Sequence, residues 1–292
     1  MKRSGLTLTM IFEAQSANYG EGVANISSLK KMSRSGGGMY TYISRQAMRY
    51  NIVQQIGCDN TPIDNAQKVV QFAPDATIKD YPEIDLFGYM KTSSKGDDSS
   101  KGTQKIRSAV VRLSNAISLE EYNLDLDFLT NLGLAKRSKG YENAIAQSEI
   151  HNSMYVYTVT IDLDRIGIDE NGSIEISPQE KAQRVNDLLG VLEFLYRDIK
   201  GRRENLAPIF AAGGVYARKN PYFEGRIELN KNNLDVEMIK EVIESDDDIK
   251  NNTVLGALSG KFANSEEVSS IASGSVGDVF KALKKEVSDY YV

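Results

Sequence analysis

The chain has 292 residues, a net charge of −5 and 41% hydrophobic residues. That length holds one large or two ordinary domains with a sizeable core. The acidic balance excludes a protein that coats nucleic acid by bulk charge, so any such contact needs a local basic surface. The only cysteine, Cys58, and the only histidine, His151, exclude an internal disulfide framework. A zinc site would fall mostly to carboxylates, and a triad mechanism would have only His151, which has no nucleophile motif around it.

Thr7, Thr9 and Glu13 interrupt the apolar run after Lys2 and Arg3, so no signal peptide is read, and nothing approaches the roughly 20 apolar residues of a membrane span. A cytoplasmic protein without membrane contact is expected. Residues 5–14 alternate, Leu6, Leu8, Met10 and Phe12 against Thr7, Thr9, Ile11 and Glu13, which predicts a half-buried strand. Asn18 to Gly22 is a turn-rich exit.

Residues 30–55, KKMSRSGGGMYTYISRQAMRYNIVQQ, join a basic glycine loop to a helix ending near Gly57. On a wheel of 3.6 residues per turn, Ile43, Ala47 and Tyr50 share the packed side and hold Arg45 and Arg49 out opposite. With Lys30, Lys31 and Arg34 these could grip a phosphate chain, glycine letting the backbone come close. A flexible turn followed by ordinary solvated arginines is the competing reading.

Residues 59–82 are polar and proline-marked, with at most a short helix around 66–70; Asp85-Leu86-Phe87-Gly88 is a compact apolar insert. Residues 92–104, TSSKGDDSSKGTQ, lack any apolar residue and predict a mobile surface loop. A second strand is expected at 106–113 and the clearest one at 155–163, where Tyr155, Tyr157, Val159, Ile161 and Leu163 alternate with Val156, Thr158, Thr160 and Asp162. Between them, 119–152 lacks a clean period but places Phe128, Leu129, Leu132 and Leu134 just before Lys136, Arg137 and Lys139. Ser177-Pro178-Gln179-Glu180 opens a helix through a capping box, with a stripe from Ala182 to Tyr196 and Ile199, stopped at Gly201. A strand at 209–216, continuing at 226–229, and tail helices at 235–244 and 278–290 joined by a Ser/Gly-rich connector complete the chain.

The order strand, helix, strand, strand, helix, strand predicts an α+β, ferredoxin-like fold of the RNA-recognition-motif type. Its strands lack the aromatic RNA-stacking signature of ordinary RNA-recognition motifs. The paired acids Glu120, Glu121, Asp125 and Asp127, with Asp162 and Asp164, leave open a metal-dependent RNA nuclease of related fold. A DNA-binding autoregulator is the other alternative, without a convincing recognition helix.

LTLTMIFEAQSANYGEG, YISRQAMRYNI, DLFGYM, IRSAVVRLSNAISLEEYN, SEIHNSMYVYTVTIDLDRIG and AAGGVYARKNPYFEGRIEL, in this order over residues 4–230, resemble the backbone subunits of type I CRISPR Cascade complexes, in the DevR-like branch of type I-B systems. The resemblance implies a single domain: a palm at about 4–57, 105–118 and 153–230, a finger insertion with a mobile loop at 58–104, a thumb at 119–152 and a helical C-terminal extension at 231–292. It implies a non-enzymatic protein without cofactor that coats a CRISPR guide RNA in many copies. Its partners are the guide, target DNA, further copies of itself and other Cascade subunits. Transferred residue by residue, Lys30, Lys31, Arg34, Arg45 and Arg49 occupy the loop and helix that carry guide contacts, and Asn18, Ser44 and Gln46 add neutral hydrogen bonds. In the thumb, residues 128–134 wedge between bases while Lys136, Arg137 and Lys139 hold adjacent phosphates.

Overall fold

A computed structural model describes residues 2–20, 22, 26–34, 36–65, 69–92, 104–137 and 145–292, without the side chain of Leu134. The expectations placed on Lys139, on most of 66–70 and on most of 92–104 lie outside the described residues.

The first half of the chain builds β1 (Gly5–Ala14), β2 (Ile26–Ser27), β3 (Lys31–Ser33), β4 (Met39–Ile43), α1 (Arg45–Ile56), β5 (Ile63–Asp64), β6 (Gln71–Phe72), α2 (Pro82–Phe87), β7 (Tyr89–Thr92), β8 (Gln104–Arg107), β9 (Val111–Leu113), β10 (Ala116–Ser118), β11 (Asp125–Thr130), α3 (Leu132–Ala135) and β12 (Ile145–Ile150). The second half adds β13 (Ser153–Asp162), β14 (Ile168–Asp169), β15 (Ile174–Glu175), α4 (Pro178–Glu193), β16 (Tyr196–Ile199), β17 (Arg202–Asn205), β18 (Phe210–Tyr216), β19 (Leu229–Asn230), β20 (Asn233–Leu234), α5 (Val236–Glu244), α6 (Asp247–Asn252), β21 (Val254–Ala257), α7 (Ser265–Ile271) and α8 (Val276–Tyr291).

The main sheet runs β21-β18-β1-β13-β10-β4-β3, with β9 also on β13, and every pairing is antiparallel. β1 is its centre: β13 pairs it along all ten residues and β18 from Gly5 to Ile11. The expected alternation holds, but the strand is buried on both faces rather than one. On one face Leu6, Leu8, Met10 and Phe12 pack on Met48, Ile52 and Val53 of α1, Val185 and Leu188 of α4, and Phe280 and Leu283 of α8. On the other, Ile11, Phe210 and Ala212 meet Val236, Ile239 and Val242 of α5. There the Thr9 and Thr158 hydroxyls share a 2.8 Å hydrogen bond, and Thr7 Oγ1 donates to the Asn220 carbonyl at 3.3 Å, so the buried threonines are satisfied.

Several expected boundaries move for identifiable reasons. Residues 39–43 form a strand, not the helix start: Ser44 caps α1, accepting the Ala47 N–H on its hydroxyl, and Gly57 closes it in left-handed conformation. The buried face of α1 is then Met48, Ile52 and Val53, while Tyr50, assigned above to the packed side, is 61% exposed. The stretch at 106–113 is broken: β8 belongs to a hairpin with β7, and only β9 enters the main sheet. α4 ends at Glu193. Tyr196 and Ile199 leave its stripe for a β16–β17 hairpin whose turn contains Gly201. Glu180 does not complete a capping box; its carboxylate pairs with Arg184. β18 does not continue at 226–229, and the Ser/Gly connector contains β21, which adds to the sheet.

The insert around α2 is fastened by a buried charge. The Asp85 carboxylate, fully buried, accepts from Arg107 at 2.7 Å, from Arg184 at 2.9 Å and from the Gly167 N–H at 2.9 Å. Arg107 also donates to the carbonyls of Ile168 and Arg165, and Arg184 to those of Ile78 and Lys79. A lone buried carboxylate would be costly; two guanidiniums and an amide compensate it and tie the insert to the segment after β13 and to α4.

Candidate nucleic-acid interface

The loop from β1 to α1 is built on Asn18. Its carbonyl accepts the Lys30 N–H at 2.6 Å, and its Oδ1 accepts the Ser44 hydroxyl at 2.7 Å and the Ser44 N–H at 3.2 Å. Asn18 and Ser44 therefore hold the loop against the start of α1; their polar atoms are largely spent on that task. Arg45 and Gln46 follow, both exposed on the first turn, and the Arg45 N–H donates to Asn115 Oδ1 at 2.9 Å.

The two adjacent lysines, both half-buried, differ in their partners. Lys31 pairs in register with Thr41 on the helix-covered face and turns inward, its Nζ 2.6 Å from Glu149 Oε2 and 4.5 Å from the centre of the Tyr122 ring. Glu149 also accepts the Leu29 N–H at 2.8 Å. Lys30 has no ion pair among the described residues. Its carbonyl accepts the Tyr42 N–H at 3.0 Å. Met32 lies across from Tyr40, and the Arg34 guanidinium sits 4.4 Å above the Tyr40 ring. Tyr42 pairs with Ile117, which pairs with Val156. One sheet face near this edge thus carries Met32, Tyr40, Tyr42, Ile117 and Val156, all half-buried, with Arg34 above it and Lys30 alongside. Gly38 lets the Glu121 side chain reach the loop, since a Cβ there would collide with that carboxylate.

Arg49 departs from its expected role. Its guanidinium is 3.6 Å from Glu83 and 4.8 Å from the centre of the Phe87 ring, and burial lowers its pKa from the ordinary value. It fastens α1 to α2, and only Arg45 of the expected pair stands free of the fold.

The hairpin of β11 and β12 rises from the same edge, anchored by parallel pairing of β12 with β2. Every residue of β11 is exposed; Phe128 is 60% and Leu129 69% accessible, and Leu124, Leu132 and Ile145 are also open. Lys136 and Arg137 follow α3 on the exposed surface. So the expected apolar run and two of its three cations share one projecting hairpin.

Below it, His151 is buried. Its Nδ1 shares a 2.8 Å hydrogen bond with Thr41 Oγ1, which in turn shares one of 2.7 Å with the Tyr155 hydroxyl. Burial lowers the His151 pKa and pushes the Tyr122 hydroxyl up to about 12, with Glu149 adding to the latter. The acids weighed for metal chemistry are engaged in several places. Asp162 accepts from Arg112 and Arg165, Asp164 pairs with Lys219, and Glu120 accepts the Met154 N–H. No group of three or more His, Cys, Asp or Glu able to hold a metal ion occurs among the described residues. Nor is any helix among them long and apolar enough to cross a membrane.

The Tyr40 and Tyr42 rings were not singled out from the sequence, although the alternation in MYTYI is a strand signal.

A sequence model of the family described as "CRISPR-associated negative auto-regulator DevR/Csa2" matches residues 6–238. A protein of Myxococcus xanthus (strain DK1622) described as "CRISPR-associated protein Cas7/Cst2/DevR" is 29% identical over 158 residues, covering 49% of this chain and 52% of that protein, about half its length. A chain of a "CRISPR RNA-guided surveillance complex, pre-nicking" superposes with a TM-score of 0.63 at 11% identity, covering 97% of this chain and 100% of its own. One of a "CRISPR RNA-guided surveillance complex" gives 0.59 at 13%, covering 97% and 99%.

Proposed function

Because the chain belongs to the CRISPR-associated DevR/Csa2 family, we propose that it is a backbone subunit of a type I Cascade complex. It coats a CRISPR guide RNA in successive copies and leaves the bases free to pair with target DNA. The observation that carries this reading is the joint placement of cations and rings. Lys30 and Arg34 flank the half-open Tyr40 and Tyr42 at the sheet edge from which the exposed β11–β12 hairpin rises.

A guide-binding surface must accept any sequence. Cations on phosphates position a strand without reading it, and exposed rings stack on any base. Arg45 extends the cationic side along α1, and Lys136 and Arg137 extend it along the hairpin. In this reading the sheet with α1 and α4 is the ferredoxin-like palm, since β18, β1, β13 and β9 take the 4-1-3-2 order of such a sheet. The insert at 58–104 is the finger and the hairpin is the thumb. The protein holds RNA without cutting it and needs no cofactor; the engagement of Asp162, Asp164 and Glu120 with neighbouring groups supports this.

The test is purification of the wild-type chain with its nucleic acid. RNA with one fixed repeat-derived end, protected at regular intervals and uncut in magnesium or manganese, is expected. Cleavage lost on Asp125→Ala or Asp127→Ala would point to the nuclease alternative. Recovery of promoter DNA instead of RNA would favour the auto-regulator that the family's description names.

A further inference from the structure

The β16–β17 hairpin has no part in the reading above. Its turn is Lys200-Gly201, between the paired Ile199 and Arg202. Both turn residues have positive φ, 50° and 77°. A two-residue turn of this hand suits Asn-Gly; lysine in the left-handed region strains the backbone. Strain at an exposed lysine directs attention to its side chain.

The Lys200 ammonium lies 4.5 Å from the centre of the Tyr19 ring and donates to Ser27 Oγ at 3.3 Å. Ser27 belongs to β2, the strand that anchors the β11–β12 hairpin, and Tyr19 donates its hydroxyl to the Glu149 carbonyl at 3.0 Å. Lys200 therefore stands at the foot of that hairpin, and it has no carboxylate partner among the described residues.

The support beneath it is rigid. Arg197, buried, donates to the carbonyls of Ser16 and Ala17 and pairs with the buried Glu204. Glu204 also accepts the N–H groups of Gln15 and Ser16, at 2.7 and 3.2 Å. Arg202 pairs with the same carboxylate and donates to the Gln15 side chain. On this side of the hairpin Arg197 and Arg202 share the one carboxylate of Glu204, and Lys200 at the turn adds a third cation, so these four groups carry a surplus of two positive charges. The opposite side is neutral, because Arg203 pairs with Asp198 through two hydrogen bonds of 2.9 and 3.0 Å.

We propose that Lys200, backed by Arg202, is a second backbone-phosphate contact for single-stranded RNA, held in place at the foot of the β11–β12 hairpin. The proposal rests on the RNA-coating reading and extends its path from the Lys30–Arg34 edge past Tyr19 to this turn. The rigid mounting favours a phosphate: an ammonium already fixed loses little freedom on binding. Ser27 and Tyr19 themselves carry no negative charge; the carboxylates that act on Tyr19 are Glu204, already paired, and Asp127 of β11.

The experiment is fluorescence polarisation of a labelled single-stranded RNA with the wild-type chain, Lys200→Asn and Arg203→Gln, over a range of salt. Asparagine tolerates the left-handed turn, so Lys200→Asn keeps the fold, which a thermal melt checks. It is expected to weaken binding several-fold and to make the salt dependence shallower by about 0.7, one single-strand phosphate contact. Arg203→Gln is expected to change neither. Wild-type protein that binds RNA while Lys200→Asn matches its affinity and slope would overturn this contact and leave the wider reading standing. A wild-type chain that binds no RNA would sink the wider reading itself. Lys200→Asn that disturbs only association with another protein would assign the turn to a protein partner and likewise overturn the proposal.

Discussion

Lys31 Nζ and Glu149 Oε2 lie 2.6 Å apart, with side chains 19% and 11% accessible, so this lysine joins the β1–α1 loop to the end of β12. Removing it leaves the Glu149 carboxylate without its cation, beside the Leu29 amide and the Tyr122 ring. Lys31→Met is expected to cost at least about 1–3 kcal/mol, the range for leaving a buried acceptor short of its partner. Lys31→Met with Glu149→Gln should recover part of it. Urea unfolding of the four corners of this cycle measures the coupling; additive losses would show that the pair contributes nothing of its own.

Arg45 and Arg49 should separate. Arg45→Glu is expected to weaken RNA binding and flatten its salt dependence by about 0.7 with the melting temperature unchanged. Arg49→Ala gives up the Phe87 ring and Glu83, so it should lower stability by about 1 kcal/mol and leave the salt slope alone. Polarisation titrations beside thermal melts report both; a reversed pattern would exchange the two roles.

Asp85→Ala strips two buried guanidiniums of their carboxylate. A loss of about 3–5 kcal/mol is expected, and residues 59–107 should become the first site of limited proteolysis. Unchanged protection of that segment would show that the apolar contacts of the insert suffice without the ion cluster.

His151 gives a pH dependence of definite sign. Burial lowers its folded pKa below the ordinary 6.5, so the unfolded chain binds the proton first. Its contribution is complete above about 6.5 and is lost as pH falls through that value toward the depressed folded one. The wild-type urea midpoint should therefore drop more between pH 7.5 and 5.5 than that of His151→Asn. Equal drops would mean that the group titrates alike in both states.

Much of this arrangement was legible in the sequence. The alternation in β1 and β13 marked both as strands, though not as the doubly covered centre of the sheet, and Ser177-Pro178 marked the start of α4. Misreadings arose where one pattern satisfied two structures. Tyr196, Ile199 and Gly201 continue a helical period, yet form a hairpin. MYTYI precedes a helix without belonging to it. Lys30 and Lys31 look alike as letters, and only the fold brings one of them, Lys31, onto the Glu149 carboxylate. The Asp85 cluster had no local signal, since its guanidinium partners lie 22 and 99 residues away.

Replacing residues 126–146 by a short Gly/Ser linker removes the exposed apolar hairpin and keeps Ser148 and Glu149. The sheet should remain folded by circular dichroism. Ordered multi-copy particles on RNA, expected for the wild-type chain by electron microscopy, should be absent. Regular particles from the shortened chain would deny the hairpin a part in assembly.

The borders of the main sheet set how copies can propagate. On one side Ser273 donates its N–H to Leu255 and Gly274 bridges to Gly256, so β21 is already covered by the chain's own tail. On the other, β3 is three residues long and begins with a lysine, a poor template for another strand. Among the described residues, neither of these two borders offers a second copy a long open ladder to pair with. In the RNA-coating reading, assembly is thereby uncoupled from the ~4.8 Å strand repeat of fibres, and the spacing of successive copies would be left to side chains and to the strand they would share.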